Sequence, residues 1–301
     1  MKRIAPVAGF LLCSAMAAMA APAHAIKAFP TGLTANVVYK VEKGATNVKP
    51  ADVYDVDLFD TDAATIAMLK TRDKQAGEED RLIICYFSAG SSENWRPDYK
   101  SFTSADKGDP LDDWDGENWL DIRSANVRSI MKKRMDLAVQ KKCDAVDPDN
   151  VDGYSNENGL SLSKEDQLDY NKFLATEAHA RGLAIGLKND TEQAQALEPS
   201  FDFSIVESCF DYSECAQYNA FFKANKAIFG MQYDEGNFSE MCKDAKKNGM
   251  STALYNLDLD GSIYKTCEPP AKKDGTTNTN TGGTNTGGGT TAKKCQCKLK
   301  K

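Results

Sequence analysis

Histidine is nearly absent. The 301-residue chain has two. His24 falls in an N-terminal stretch that reads as a leader, which leaves His179 for the folded part. His179 stands in "ATEAHARGL", at the end of a helical pattern, where a cation complements the helix dipole. A Ser-His-Asp hydrolase would need His179 itself, and no G-x-S-x-G sequence accompanies it. Histidine-rich zinc sites are excluded on the same count. No P-loop and no G-x-G-x-x-G follows a strand pattern, so the usual phosphate and dinucleotide cradles are missing too. No cofactor and no metal are therefore expected. Beyond the first 25 residues no apolar run is long enough for a membrane span. If the chain is catalytic, carboxylates do the work.

The two ends read as separate from the fold. Lys2 and Arg3 precede the apolar run "IAPVAGFLLCSAMAAMA", and "AHA" ends at Ala25. Residues 1–25 are thus expected to be a cleaved signal peptide of a secreted or periplasmic protein. From Lys272 to Thr291 the text is "KKDGTTNTNTGGTNTGGGTT", which has nothing to bury. Residues 268–301 are expected to be a disordered linker with a short basic tail carrying Cys295 and Cys297. Residues 26–267 remain for one globular domain, a size that suits an α/β barrel.

That domain is acidic. The chain carries −7; Lys2 and Arg3 leave with the leader, and seven Lys against Glu268 and Asp274 lie beyond Cys267, so the middle is near −14. Such a surface repels nucleic acid and attracts a cationic ligand; solubility of an exported protein is the plainer reading. Eight cysteines follow the leader, and an even count in an exported chain favours disulfides. Cys209 with Cys215, Cys242 with Cys267 and Cys85 with Cys143 are the simplest pairs, though spacing leaves the connectivity open.

Short β-rich runs alternate with helical stretches. The strand patterns are "NVVYKV" from Asn36, "VYDVDLF" from Val53, "LIICYFSA" from Leu82 and "DAVD" from Asp144. "LAIGLK" from Leu183, "FSIVES" from Phe203, "AIFGMQY" from Ala227 and "TALYNL" from Thr252 complete the set. Several are continuous apolar runs, as strands covered on both faces should be. Val127, Ile130, Met131, Leu137 and Ala138 form one helical stripe; Tyr170, Phe173, Leu174 and Ala178 form another. Ser163 and Asp166 resemble a capping box, and Gly182 suits the helix end. The alternation predicts a parallel sheet, and eight strands predict an α/β fold of the (β/α)₈ TIM-barrel type. The stretch from Gly90 to Ser124, which holds Trp95, Trp114 and Trp119, reads as a large loop over the barrel mouth.

In such a barrel the site lies at the carboxyl ends of the strands. Those ends offer Asp55 and Asp57, Tyr86, Asp147 with Asp149 and Asn150, Lys188 with Asn189 and Asp190, Glu207, Tyr233, and Asn256 with Asp258. Two carboxylates flanking a glycosidic bond suffice for its hydrolysis. Each residue also has a bland role: "DPDN" is a good turn, and a strand-end Glu makes ion pairs. The three Trp either stack on sugar rings or pack their loop. The convergence on one rim carries the reading, because turns and caps need not converge.

Several segments together resemble glycoside hydrolase family 114: "VYDVDLFDT", "ICYFSAGSSENWRPD", "WLDIR", "IMKKRMDLA", "CDAVDPDNVDGY", "IGLKND" and "VESCFDYSEC". They occur in order, and the similarity spans roughly Val53 to Tyr233. The resemblance implies a (β/α)₈ barrel with endo-α-1,4-polygalactosaminidase activity, whose partner is a galactosamine-containing polysaccharide, cationic where unacetylated. It implies Asp149 as nucleophile and Glu207 as acid/base; Asp147 is the rival nucleophile, less favoured because it lies inside the strand end whereas Asp149 lies past Pro148 and can turn into the mouth. It implies retention, and substrate contacts from Asp55, Tyr86, Asp147, Asn150, Lys188, Asn189, Asp190 and Tyr233. A monomer is expected. The family's Trp-rich first strand is replaced by "NVVYKVEKG", with Tyr39 as its only aromatic, which puts one subsite in doubt. Val206 stands where an amide often precedes the Glu, which bears on the acid/base's hydrogen bonds. The competing reading is a carbohydrate-binding barrel of the cell envelope without turnover.

Overall fold

A computed structural model describes residues 25–272. The leader up to His24 and the chain from Lys273 lie outside the described residues, and so do the readings that fall on them. The chain opens with β1 (Ala35–Val37), β2 (Val53–Asp57), α1 (Ala63–Lys70) and β3 (Leu82–Ser88). An excursion follows, with β4 (Ser91–Glu93), β5 (Lys107–Pro110) and β6 (Glu117–Leu120). The main frame resumes with α2 (Ala125–Lys141), β7 (Ala145–Asp149), α3 (Lys164–Ala180), β8 (Ala184–Lys188), α4 (Ala194–Leu197) and β9 (Phe203–Glu207). It ends with α5 (Asn219–Lys223), β10 (Ile228–Gln232), α6 (Phe238–Asn248), β11 (Ser251–Tyr255) and β12 (Tyr264–Thr266).

Nine strands form the main sheet in the order β1-β2-β3-β7-β8-β9-β10-β11-β12. All neighbours are parallel except β12, which runs antiparallel to β11. Side chains tie the last parallel strand back to the first. The Tyr255 hydroxyl on β11 donates to the Ala35 carbonyl at 3.0 Å, and Tyr264 on β12 does the same at 3.0 Å. The result is the expected (β/α)₈ barrel, with β12 laid against its seam.

The period of two along each strand splits the core into two shells. Val53, Ile84, Ala145, Ala184, Phe203, Ile205, Phe229, Met231 and Ala253 fill the barrel. Phe29 plugs its foot, stacked on Phe203 at 4.4 Å. Tyr54, Val56, Ile83, Cys85, Phe87, Val146, Ile185 and Leu187 face outward, where helices cover them. Gly186 is a glycine because a Cβ there would lie 2.4 Å from the Phe203 ring. The helix stripes behave as the spacing predicts: Val127, Ile130, Met131, Ala138, Tyr170, Leu174 and Ala178 are buried, with Leu137 and Phe173 half-buried. Ser163 and Asp166 form the capping box of α3, and Gly182 turns the chain beyond it at φ 74°.

Three details differ from the sequence reading. β1 has three residues, not six. The Gly90–Ser124 stretch contains an antiparallel sheet, β4-β6-β5, whose strands are too short and polar to give an alternating signal. β7 runs through Pro148 to Asp149 instead of stopping before the proline. The Asp149 carbonyl faces β3, where it accepts from Ala89 and Gly90. Alternation then turns the Pro148 nitrogen toward β8, where pairing has already ended at Val146–Ile185.

Three disulfides form among the described residues: Cys85–Cys143, Cys209–Cys215 and Cys242–Cys267. No described helix is long and apolar enough to cross a membrane.

Candidate active site

The inward positions that are apolar at the foot become ionisable at the mouth. On β7, Ala145 gives way to Asp147 and Asp149; on β8, Ala184 and Gly186 give way to Lys188; on β9, Phe203 and Ile205 give way to Glu207. Asp55, Tyr86 and Tyr233 continue the same parity on β2, β3 and the end of β10.

Lys188 is the centre. Its Nζ lies 3.2 Å from Asp149 Oδ1 and 3.6 Å from Glu207 Oε2. Burial opposes its charge, but Asp149, Glu207 and Asp147 outweigh it and hold its pKa well above the ordinary lysine value. Asp149 also accepts from the Tyr86 hydroxyl at 3.1 Å and from the Asn150 N–H at 2.8 Å. Glu207 accepts from the Tyr233 hydroxyl and from Asn189 Nδ2 at 3.5 Å, while Asn189 Oδ1 accepts the Glu207 N–H at 3.0 Å. Both carboxylates keep a face to solvent, with side chains 20% and 23% exposed. Asp55 and Asp147 have none, at 0% each. Burial, opposed by Lys188 and reinforced by Asp149 and Glu207, raises Asp147 to about 7.

Backbone geometry explains the amides at this rim. Asn150, Asn189, Asp190 and Ser208 have φ of 58°, 46°, 50° and 52°. Asn and Asp tolerate this left-handed region best among non-glycine residues. The chain therefore leaves β7, β8 and β9 through abrupt turns.

Asp55, Tyr86, Asp147, Asp149, Lys188, Asn189, Glu207 and Tyr233 thus come together. Asn150 joins through its backbone only; its amide turns to Ser88 Oγ at 2.9 Å. Asp190 stands apart. It is 2% exposed and its Oδ2 accepts from Asn171 on α3 at 2.8 Å, because two successive left-handed residues rotate it off the inward face. Asp57 is taken by Arg96, at 2.6 and 3.0 Å. His179 pairs with Asp202 at 2.8 Å at the foot of the barrel, opposite the mouth.

Tyr39 is the site residue the sequence reading passed over. Its hydroxyl donates to Asp147 Oδ2 at 3.3 Å and its ring stacks on Tyr86 at 4.1 Å. The signal was its parity with Ala35 and Val37. The Trp residues divide: Trp119 is buried against Gly153, while Trp95 and Trp114 are half exposed on the excursion. Among the described residues no group of His, Cys, Asp or Glu is arranged to hold a metal ion.

Residues 15–271 match the model of glycoside-hydrolase family GH114. The chain belongs to family GH114. This GH114 chain is similar to Aspergillus fumigatus Ega3, whose crystal structure is a complex with galactosamine. Identity is 39% and the TM-score 0.72, over 82% of this chain and 99% of that one. The glycoside hydrolase domain of PelA from Pseudomonas aeruginosa shares the fold, at 13% identity and a TM-score of 0.59, over 78% and 98% of the two chains. No curated protein matches. As a GH114 member the protein is a glycoside hydrolase.

Proposed function

We propose that this enzyme is an endo-acting, retaining hydrolase of α-1,4-linked galactosamine polymers, exported from the cell, with Asp149 as nucleophile and Glu207 as acid/base. The observation that carries this is the pair of partly exposed carboxylates held on one ammonium. Their oxygens lie 3.2 and 3.6 Å from Lys188 Nζ, so they are no farther apart than the sum of those distances. That limit applies to the two lysine-facing oxygens and is compatible with the roughly 5–5.5 Å carboxyl separation of retaining enzymes.

In this reading Asp149 attacks the anomeric carbon while Glu207 gives its proton to the departing glycosidic oxygen. A covalent glycosyl-Asp149 forms and the leaving chain departs with the proton. Glu207 then takes a proton from water, whose oxygen attacks the same carbon and frees Asp149. Tyr86 and the Asn150 N–H aim Asp149; Tyr233 and Asn189 aim Glu207. Asp147 is the poorer nucleophile because no part of it reaches the surface. Galactosamine as the sugar is supported by the likeness to Ega3 and by the acidic mouth. Export is supported by the leader pattern and three disulfides.

The test is product analysis on purified α-1,4-galactosamine polymer, with the anomer of the first product read by NMR. Wild type should release oligosaccharides as the α-anomer. Asp149→Asn and Glu207→Gln should each lose at least about 10³-fold in kcat. A β-anomer would overturn retention, and turnover surviving in Asp149→Asn would pass the nucleophile role to Asp147. Binding without cleavage by wild type would make the barrel a sugar-binding protein.

A further inference from the structure

The proposed mechanism uses neither Asp55 nor Asp147 directly, yet these are the most deeply enclosed acids of the mouth, at 0% exposure each. Neither oxygen of Asp55 accepts a hydrogen bond, and Asp147 Oδ1 accepts none either. Asp147 Oδ2 has the Tyr39 hydroxyl, at a long 3.3 Å. Two ionised carboxylates could not stay there, because each unmet lone pair forfeits its hydration without return.

The two acids meet each other. β2 and β7 flank β3, and inward side chains of alternate strands share one layer of a barrel. Asp55 and Asp147 stand within side-chain reach of each other in that layer. Ionised carboxylates only accept, so a hydrogen bond between them requires a hydrogen on one of them. Asp55 is the one that accepts no hydrogen bond, whereas Asp147 accepts from Tyr39. The pair is faced by Tyr39 after β1, Tyr86 on β3, Asp149 on β7, Lys188 on β8, Glu207 on β9 and Tyr255 on β11. Lys188 is the sole cation in that set, and Asp149 and Glu207 already engage it.

We propose that Asp55 is a neutral carboxylic acid that donates its proton to Asp147, and so is a positioning residue for the nucleophile. The line of contact is continuous. Asp55 holds Asp147, Asp147 accepts from Tyr39, Tyr39 stacks on Tyr86, and Tyr86 donates to Asp149. The bound proton also spares Lys188 a fourth anion. Burial first, and then the charge of Asp147, favour the protonated form of Asp55. The protonation state itself does not depend on the catalytic assignment; the positioning role rests on Asp149 being the nucleophile.

Infrared difference spectroscopy tests the proton. At pH 7 the wild-type spectrum should contain a protonated carboxylic-acid carbonyl band that Asp55→Asn lacks. A spectrum with no such band lost overturns the proposal. If Asp55→Asn fails to fold, Asp147→Asn answers instead, because replacing the carboxylate acceptor by an amide should shift the Asp55 band; an unmoved spectrum overturns it. Kinetics test the positioning. Asn can still donate to Asp147, so Asp55→Asn should keep at least tenfold more kcat than Asp55→Ala, and its alkaline limb should move to higher pH. Equal losses in the two variants with an unmoved limb overturn the positioning role. The infrared result needs no substrate, so it stands or falls separately from the product analysis of Asp149→Asn.

Discussion

Lys188 is a buried ammonium whose neighbours are almost all anions, and its removal has a calculable sign. Its pKa lies above the ordinary lysine value because Asp149, Glu207 and Asp147 outweigh the cost of burial. A raised lysine pKa contributes stability that is complete below the unfolded value of about 10.4 and is lost as pH rises through the folded value. The contribution is therefore whole at neutral pH. Lys188→Met leaves the acids facing one another, and breaking a buried pair in this way costs about 3–5 kcal/mol. Asp147 has the same sign at lower pH: its folded pKa of about 7 is raised, so what it contributes is greatest in acid and is lost as pH rises through 7. At pH 5 the acids that faced Lys188 can take protons and relieve the variant; as pH rises that relief is withdrawn. Urea unfolding should show the larger loss at pH 8. Equal losses at both pH values would mean that the lysine stem matters for packing and its charge does not.

At the level of elements, the pairing of β3 with β7 fixes Asp149, the proposed nucleophile. The N–H groups of Ala89 and Gly90 both donate to the Asp149 carbonyl, at 2.8 and 3.1 Å, and Leu120 N–H donates to the Gly90 carbonyl at 2.8 Å. A Cβ on Gly90 would lie 1.7 Å from the Asn150 carbonyl oxygen. Those hydrogen bonds leave Gly90 no room to retreat, so Gly90→Ala must displace Asn150, and Asp149 with it. Overpacking of this kind costs about 1–3 kcal/mol, and a displacement of about 1 Å at the reacting group costs about 10²-fold in rate. Stability and kcat measured on Gly90→Ala should both fall. Wild-type kcat would show that the pairing yields without moving the carboxylate.

The same elements show which features were legible beforehand. Strand parity named most of the mouth, because inward residues keep their face along a strand and the barrel turns all inward faces to one axis. The α3 box was legible because Ser163 and Asp166 act locally. Asp190 was not, since its turn away follows from backbone torsions after β8 and from Asn171 on another element. Tyr39 was passed over because its partners, Asp147 and Tyr86, lie on other strands, and β4-β6-β5 because its polar strands have three or four residues. The Pro148 position was misread because its tolerance depends on where the partner strand stops pairing, a tertiary fact.

For the whole molecule the relevant quantity is charge. Residues 26–267 are near −14, because the −7 of the full chain includes Lys2, Arg3 and a net five positive charges beyond Cys267. A polymer of unacetylated galactosamine, the proposed substrate, is a polycation, so its approach would be steered by a field that salt screens. The screening length is about 8 Å at 0.15 M ionic strength and about 3 Å at 1 M, which leaves contacts inside the mouth intact while erasing attraction at the surface. Steering acts on encounter and binding. On deacetylated polymer, kcat/KM should therefore fall at least about tenfold between 0.05 and 0.5 M salt while kcat holds. Fully acetylated polymer has no charge to steer, so its kcat/KM should be flat across the same range. A parallel fall for both polymers would place the salt effect on the enzyme, through the weakened Lys188 cluster, and would make the acidic surface a matter of solubility with no part in recognising substrate.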